Sequence, residues 1–312
     1  MQWFFGKVES SEESKQYVTF GERRKQVDLG LIKKDMESIE SAFLAGSQRL
    51  NEKRLQLLEK KLPKIISQMS SDKEATLKGF TLPSQKEYKK LITKLITTSF
   101  IQGDIRATSE MKYLKVKFSK FAEVFPEVTG EVASYTGLSD QTQAYIDNYA
   151  MQITRITEAT VVNAIVAALN KAYNQGLSPE QIAPLVMETA GSWMSPSHAT
   201  TIARTEMSKM YNAARLARYR SPENKGFVVA LQYDAILDGR TTKVCRHLDG
   251  KIIAIDHQDL INEYSPPNHF QCRSVWLPVT KFEAWEDNWS DTEKPQNGFT
   301  APPADLSLST IS

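Results

Sequence analysis

Apolar residues along most of this chain recur every three or four positions, and that spacing admits little besides long helices. Met36, Ile39 and Phe43 step this way, as do Leu55, Leu58, Leu62, Ile65 and Met69, while Lys, Arg and Glu fill the other faces. The pattern predicts helix from Lys33 to about Met69, with a kink or break at Pro63. A long antiparallel helical hairpin, or packing along a partner's helix, would bury the apolar stripe. After a connection over 70–84, a second helix is expected from Gln85 to Ile101, with Tyr88, Leu91, Leu95 and Ile96 on its apolar side. Ser139 opens a third as a candidate cap, and Tyr145, Tyr149, Ile153, Ile156, Val162, Ile165 and Leu169 continue it towards a stop at Gly176. Ser178, Pro179 and Gln181 read as a capped start for a helix reaching about Thr189. Another helix follows over His198–Tyr219, closed by Ser221-Pro222-Glu223-Asn224.

The texture then changes. Phe227–Leu231, Lys251–Ile255 and Val275–Val279 read as buried strands, with a tight turn at Asp249-Gly250. The basic–apolar alternation from Lys112 to Phe118 suggests one more short strand, or a helix running on to Phe121. The expected fold is α+β and predominantly helical, with long N-terminal helices, a central helical core and a small C-terminal β-containing module. Its divisions are an irregular arm over 1–32, a basic helical extension over 33–130, and a core over 139–281. That core has helices over 139–220 and a β module over 226–281. An acidic tail over 282–312 is expected to be disordered or extended.

Composition narrows the function classes. No apolar run reaches 18 residues, so no membrane span is expected, and the first residues lack the apolar stretch of a signal peptide. The net charge of +2 is a cancellation. Residues 1–120 carry 24 Lys and Arg against 15 Asp and Glu, whereas the remainder carries 15 against 22. The basic part is therefore a candidate polyanion contact, although interspersed Glu also suits an ordinary solvated helix. No P-loop, GxGxxG, HExxH or GxSxG motif occurs.

Two Cys cannot build a disulfide scaffold, yet their placement is informative. Cys245, His247, His257, His269 and Cys272 gather both Cys and three of the four His into one short block. His269-Phe270-Gln271-Cys272 can set two ligands on one turn. Cys245 supplies a third, and His247 is the nearest candidate fourth for a structural zinc, with Asp238 and His257 behind it. Buried unliganded thiols and a single disulfide are the alternatives. A Cys–His nucleophilic dyad lacks a recognisable context. Glu206 reads either as a catalytic acid or, more simply, as a buried Glu that orders the β module.

Several blocks together resemble a known family. Thr201-Ile202-Ala203-Arg204-Thr205-Glu206 with Tyr211-Asn212-Ala213-Ala214 resembles the "ARTE…YNA" helix of phage Mu F-type head-morphogenesis proteins. Tyr233-Asp234, Asp238-Gly239-Arg240-Thr241, Cys245 with Leu248-Asp249-Gly250, and Pro266-Pro267-Asn268-His269-Phe270-Gln271-Cys272-Arg273 resemble its later motifs in the same order. Two positions depart. Thr242 stands where members often have the first Cys of C-x-x-C, and Ser274 where they often end C-R-C.

The resemblance covers about residues 140–280. It implies a non-enzymatic minor head protein of the virion, near the portal vertex. Such a protein is incorporated from the host cytoplasm during procapsid assembly and is linked to DNA packaging or ejection. Expected partners are the portal protein, the major capsid protein or scaffold, and packaged DNA through the basic helices, with no membrane. The alternatives are a phage-delivered zinc hydrolase or transferase using Cys245, His269 and Glu206, and a nucleic-acid-binding regulator.

Overall fold

Helix α1, Leu29–Ser71, forms because its apolar residues keep to one side. Ile32, Ile39, Phe43, Leu58, Leu62, Ile66 and Met69 are all buried, and their spacing makes one stripe. The computed structural model describes Arg23, residues 27–119 and residues 138–299. Most of the arm expected over 1–32, the boundary expected near 130–138 and the last residues of the tail lie outside them. The break expected at Pro63 does not occur, for α1 runs through it. Pro63 and Glu59 are both exposed, so the helical bond that Pro63 cannot donate is lost on the exposed side, while Leu62 and Ile66 stay buried beside it.

The connection over 70–84 contains a short helix, α2 (Lys73–Lys78), whose preceding Asp72 accepts from the Ala75 N–H at 3.0 Å. Helix α3 then extends over Gln85–Phe118, well past the expected end at Ile101. The strand expected at 112–118 is therefore corrected to helix. Met111, Leu114 and Phe118 are buried at helical spacing, whereas Tyr113 and Val116 are 52% and 66% exposed. Alternation imitated a strand because two apolar residues face water.

The chain divides into two compact units, each drawn from separated segments. One comprises Met36–Ser99 and Thr142–Met207, the other Met1–Asp35, Phe100–Gln141 and Ser208–Ser312. Both draw on the basic stretch read as a helical extension over 33–130.

In the first unit α1 and α3 run antiparallel, as the hairpin expectation had it. Gly46 lies against Leu91, where an added Cβ would come within 2.7 Å of a Leu91 methyl, and Lys53 pairs with Glu87 at 3.3 Å. The core joins Leu58, Leu62, Ile66 and Met69 to Val161, Ile165 and Leu169 of α4 (Asp140–Asn174) and to Ile182, Val186 and Ala190 of α5 (Pro179–Trp193). Helix α4 stops as the sequence indicates. Gly176 takes φ +70°, and Leu177 N–H and Gly176 N–H return to the carbonyls of Ala172 and Tyr173 at 3.3 and 3.0 Å. Pro179 opens α5, with the Ser178 N–H donating to the Gln181 side chain at 2.9 Å.

In the second unit three antiparallel strands stand in the order β2-β1-β3: β1 is Val228–Asp234, β2 Ile252–Ala254 and β3 Val275–Thr280. Leu231 faces Ile253 on one side and Pro278 on the other; β3 is an edge strand, where a proline is tolerated. Helix α6, Pro196–Tyr219, contributes Arg215, fully buried, which donates to Glu110 of α3 at 2.6 Å and to the Trp276 carbonyl at 3.0 Å. Tyr219 donates to the other Glu110 oxygen at 2.7 Å, and Arg218 grips Asp104 at 2.7 and 3.0 Å.

Gly103 sits directly under the Tyr211 backbone, where an added Cβ would fall 2.4 Å from the carbonyl oxygen. Gly103→Ala is expected to cost about 1–3 kcal/mol, since backbone rather than a movable side chain must give way. Urea unfolding would show the cost as a lowered midpoint at unchanged slope.

The described residues after β3, through residue 299, pack against the rest of the second unit. Phe282 stacks on Phe118 with centroids 5.3 Å apart. Asn288 caps the edge strand β2, exchanging hydrogen bonds with Ile252 at 2.7 and 3.2 Å. Trp289 packs on Tyr264 and Trp276 at 5.2 and 5.7 Å. Arg23, also expected to be irregular, is buried and donates to Gln232 at 2.7 Å and to Glu283 at 3.2 Å.

Candidate metal centre

Two loops and two short helices separate the strands of the β module. After β1 the chain turns at Asp238 and enters α7 (Lys243–Leu248), which carries Cys245. After β2 comes α8 (Gln258–Tyr264), then the turn His269–Cys272 immediately before β3. In that turn the Cys272 N–H donates to the His269 carbonyl at 3.3 Å, and Gln271 takes φ +58°, curling Cys272 back beside His269.

The two loops are tied by Asp238 and Arg273, whose guanidinium makes a two-pronged contact at 2.7 and 2.8 Å. The Arg240 N–H donates to the same carboxylate at 2.8 Å, and the Thr241 hydroxyl accepts from the Asp238 N–H at 2.8 Å. Bonding from Arg273, then from the Arg240 backbone, holds the Asp238 carboxyl well below the usual carboxylate range.

This clamp brings Cys245, His269 and Cys272 together. Cys245 Sγ lies 3.2 Å from His269 Nε2 and 3.7 Å from Cys272 Sγ, and the three ligand atoms all fall within 4.8 Å of one another. Both thiols are buried and unbridged; His269 is half-buried. The Phe270 carbonyl, which can only accept, sits 2.8 Å from His269 Nδ1. The proton therefore belongs on Nδ1, and the Nε2 lone pair is free to face the sulfurs.

Bonding from Cys272 pushes the Cys245 thiol down to about 4, against its burial, with His269 adding to the effect. Burial and the neighbouring Cys245 push Cys272 up instead. Burial opposes an imidazolium at His269, but bonding to Cys245, the Cys245 charge and the Phe270 carbonyl together outweigh it and raise that pKa.

The sequence expectation placed His247 fourth in this set, and that is corrected. His247 Nε2 faces the Ser290 carbonyl at 3.3 Å and the Thr292 hydroxyl at 3.2 Å, holding the C-terminal strap instead. Asp238 is engaged by Arg273, and His257 lies beside Asp287 at 3.7 Å. Two thiols and an imidazole are donors that suit zinc, and they fill three of its usual four positions. Among the described residues no fourth Cys, His, Asp or Glu joins them.

Sequence reasoning missed the layer beneath. The Tyr233 hydroxyl lies 3.4 Å from Cys245 Sγ and accepts from the Asn268 amide at 2.7 Å. Asn268 also donates to the Tyr264 carbonyl at 3.1 Å. Both residues lie inside recognised blocks, but nothing local marks them as supports for sulfur.

Glu206 belongs elsewhere. It accepts from Tyr149 of α4 at 2.6 Å within the first unit. The other polar residues of the α6 block also serve packing. Arg204 grips both Glu40 oxygens at 3.0 Å, and Tyr211 donates to Asp35 at 3.1 Å. Asn212 donates to the Ser274 carbonyl at 3.1 Å and accepts from the Trp276 N–H at 3.4 Å, pinning β3 to α6.

No helix among the described residues is long and apolar enough to cross a membrane. No curated protein and no solved structure matches the chain. The family model described as Phage Mu protein F like protein matches residues 163–277, a stretch containing α6, β1, β2, the first half of β3 and the whole Cys–His cluster. Through that stretch the chain is similar to the Phage Mu protein F-like family.

Proposed function

We propose that this chain is a structural minor head protein of a tailed bacteriophage, seated near the portal vertex and acting in procapsid assembly, DNA packaging or ejection. The observation that carries the proposal is the family match over residues 163–277. What supports a structural over a catalytic role is the use made of the shared motifs. Arg204, Asn212, Asp238 and Arg273 each bond another part of the chain. The portal protein and the major capsid protein or scaffold are its partners in this reading, met in the host cytoplasm during assembly and retained in the virion. Disrupting the gene in its phage should leave heads that fail to fill or to deliver DNA. Normal titres, or finished particles lacking the chain, would refute the role.

Packaged DNA is the third partner. Lys86, Lys89, Lys90 and Lys94 are exposed along one side of α3, at spacing that gathers them over about two turns. A row of this kind meets phosphates without reading sequence. Full-length protein should bind duplex DNA with strong salt dependence. Changing those four lysines to Gln should flatten the slope of log K against log salt by about 3–4, near 0.9 for each lost contact. An unchanged slope would remove this face from the DNA contact.

A further inference from the structure

We propose that Cys245 Sγ, Cys272 Sγ and His269 Nε2 bind one zinc ion, with a water in the fourth position on the solvent side of His269, and that His247 takes no part. The argument rests on spacing. With Zn–S near 2.3 Å and Zn–N near 2.0–2.1 Å, tetrahedral geometry sets ligand atoms about 3.8 Å apart for two sulfurs and about 3.5 Å apart for sulfur and nitrogen. The observed separations are 3.7 and 3.2 Å. A disulfide would need its sulfurs at about 2.05 Å, so the pair is spaced for a shared ion rather than for a bond.

The surroundings are those of a built site. The His269 ring is held by the Phe270 carbonyl on the nitrogen that does not face the sulfurs, the usual outer contact of a ligating imidazole. Cys245 is backed by Tyr233, itself held by Asn268. The Asp238–Arg273 pair fixes the two loops without occupying a ligand position. Both cysteines are 2% exposed, whereas His269 is only partly buried, so the cluster meets solvent at His269. His247 follows Cys245 by two residues on a helix and is engaged by the strap.

Full-length protein purified reduced, without chelator, should carry one zinc per chain by atomic emission. Cobalt in its place should show the intense visible bands of a tetrahedral site and a thiolate charge-transfer band. Both thiols should resist a disulfide reagent until a chelator is added. His269→Ala should weaken zinc by at least the roughly 10–100-fold that losing an outer contact costs, and Cys272→Ser should abolish binding. His247→Ala should keep the full complement. If Cys272→Ser fails to fold, His269→Ala, at a half-exposed position, still decides. Metal-free protein with both thiols reactive would overturn the proposal. So would a Cys245–Cys272 disulfide in freshly isolated protein, or zinc loss on His247→Ala equal to that on His269→Ala.

Discussion

Arg215→Met is expected to destabilise the protein by about 3–5 kcal/mol, because it strands a buried carboxylate. Arg215 is fully buried, and its guanidinium serves Glu110 and the Trp276 carbonyl while Tyr219 serves the other Glu110 oxygen. Removing the cation leaves Glu110 with one phenolic donor in an apolar surround. The cost belongs to the orphaned charge more than to the lost attraction. Combining Arg215→Met with Glu110→Leu and Tyr219→Phe should therefore restore most of the stability, since no buried charge remains. Urea unfolding of the single and combined variants measures both. A single variant costing under about 1 kcal/mol, or a combined variant no better than the single, would contradict the reading.

The second large effect is expected at Trp276. Its ring is completely buried, lies 5.2 Å from Tyr233 edge-on and 5.7 Å from Trp289, and its indole N–H donates to Ser265 at 3.1 Å. Trp276→Ala should cost about 3–5 kcal/mol through lost burial and an unfilled cavity. The effect should also reach the sulfurs, because Tyr233 leans on Trp276 and touches Cys245. Thiol reactivity in the native state should rise even under conditions where the protein stays folded. By contrast Trp193, 38% exposed and set edge-on to His198, should cost far less on the same change. Equal losses at the two tryptophans would undercut the account of the core.

Helical spacing made α1, α3, α4 and α6 legible, and the β-branched runs made the three strands legible, because each pattern reflects one buried face. What failed did so for local physical reasons. Tyr113 and Val116 are apolar yet exposed, which turned the end of α3 into a false strand. His247 looked like a ligand because it is two residues from Cys245. On a helix, two residues are about 200° of rotation, so the side chains diverge. Nothing in local pattern announces Asp238–Arg273, whose partners are 35 positions apart and meet only once the strands pair. The docked tail had a cue in Trp285 and Trp289, two large apolar side chains in an otherwise acidic stretch, which a solvated tail has no reason to carry.

The segmented make-up of the two units bears on how this protein comes into being. The core under the sheet needs Met111, Leu114 and Phe118 as well as Trp276 and Phe282. The helical core needs Leu58 and Leu62 as well as Val186. On a ribosome, the early segments must therefore wait with bare apolar faces until partners more than 100 residues downstream emerge. The stretch matched at 163–277 is in this sense not a folding block. Expressed alone, it would present two half-cores.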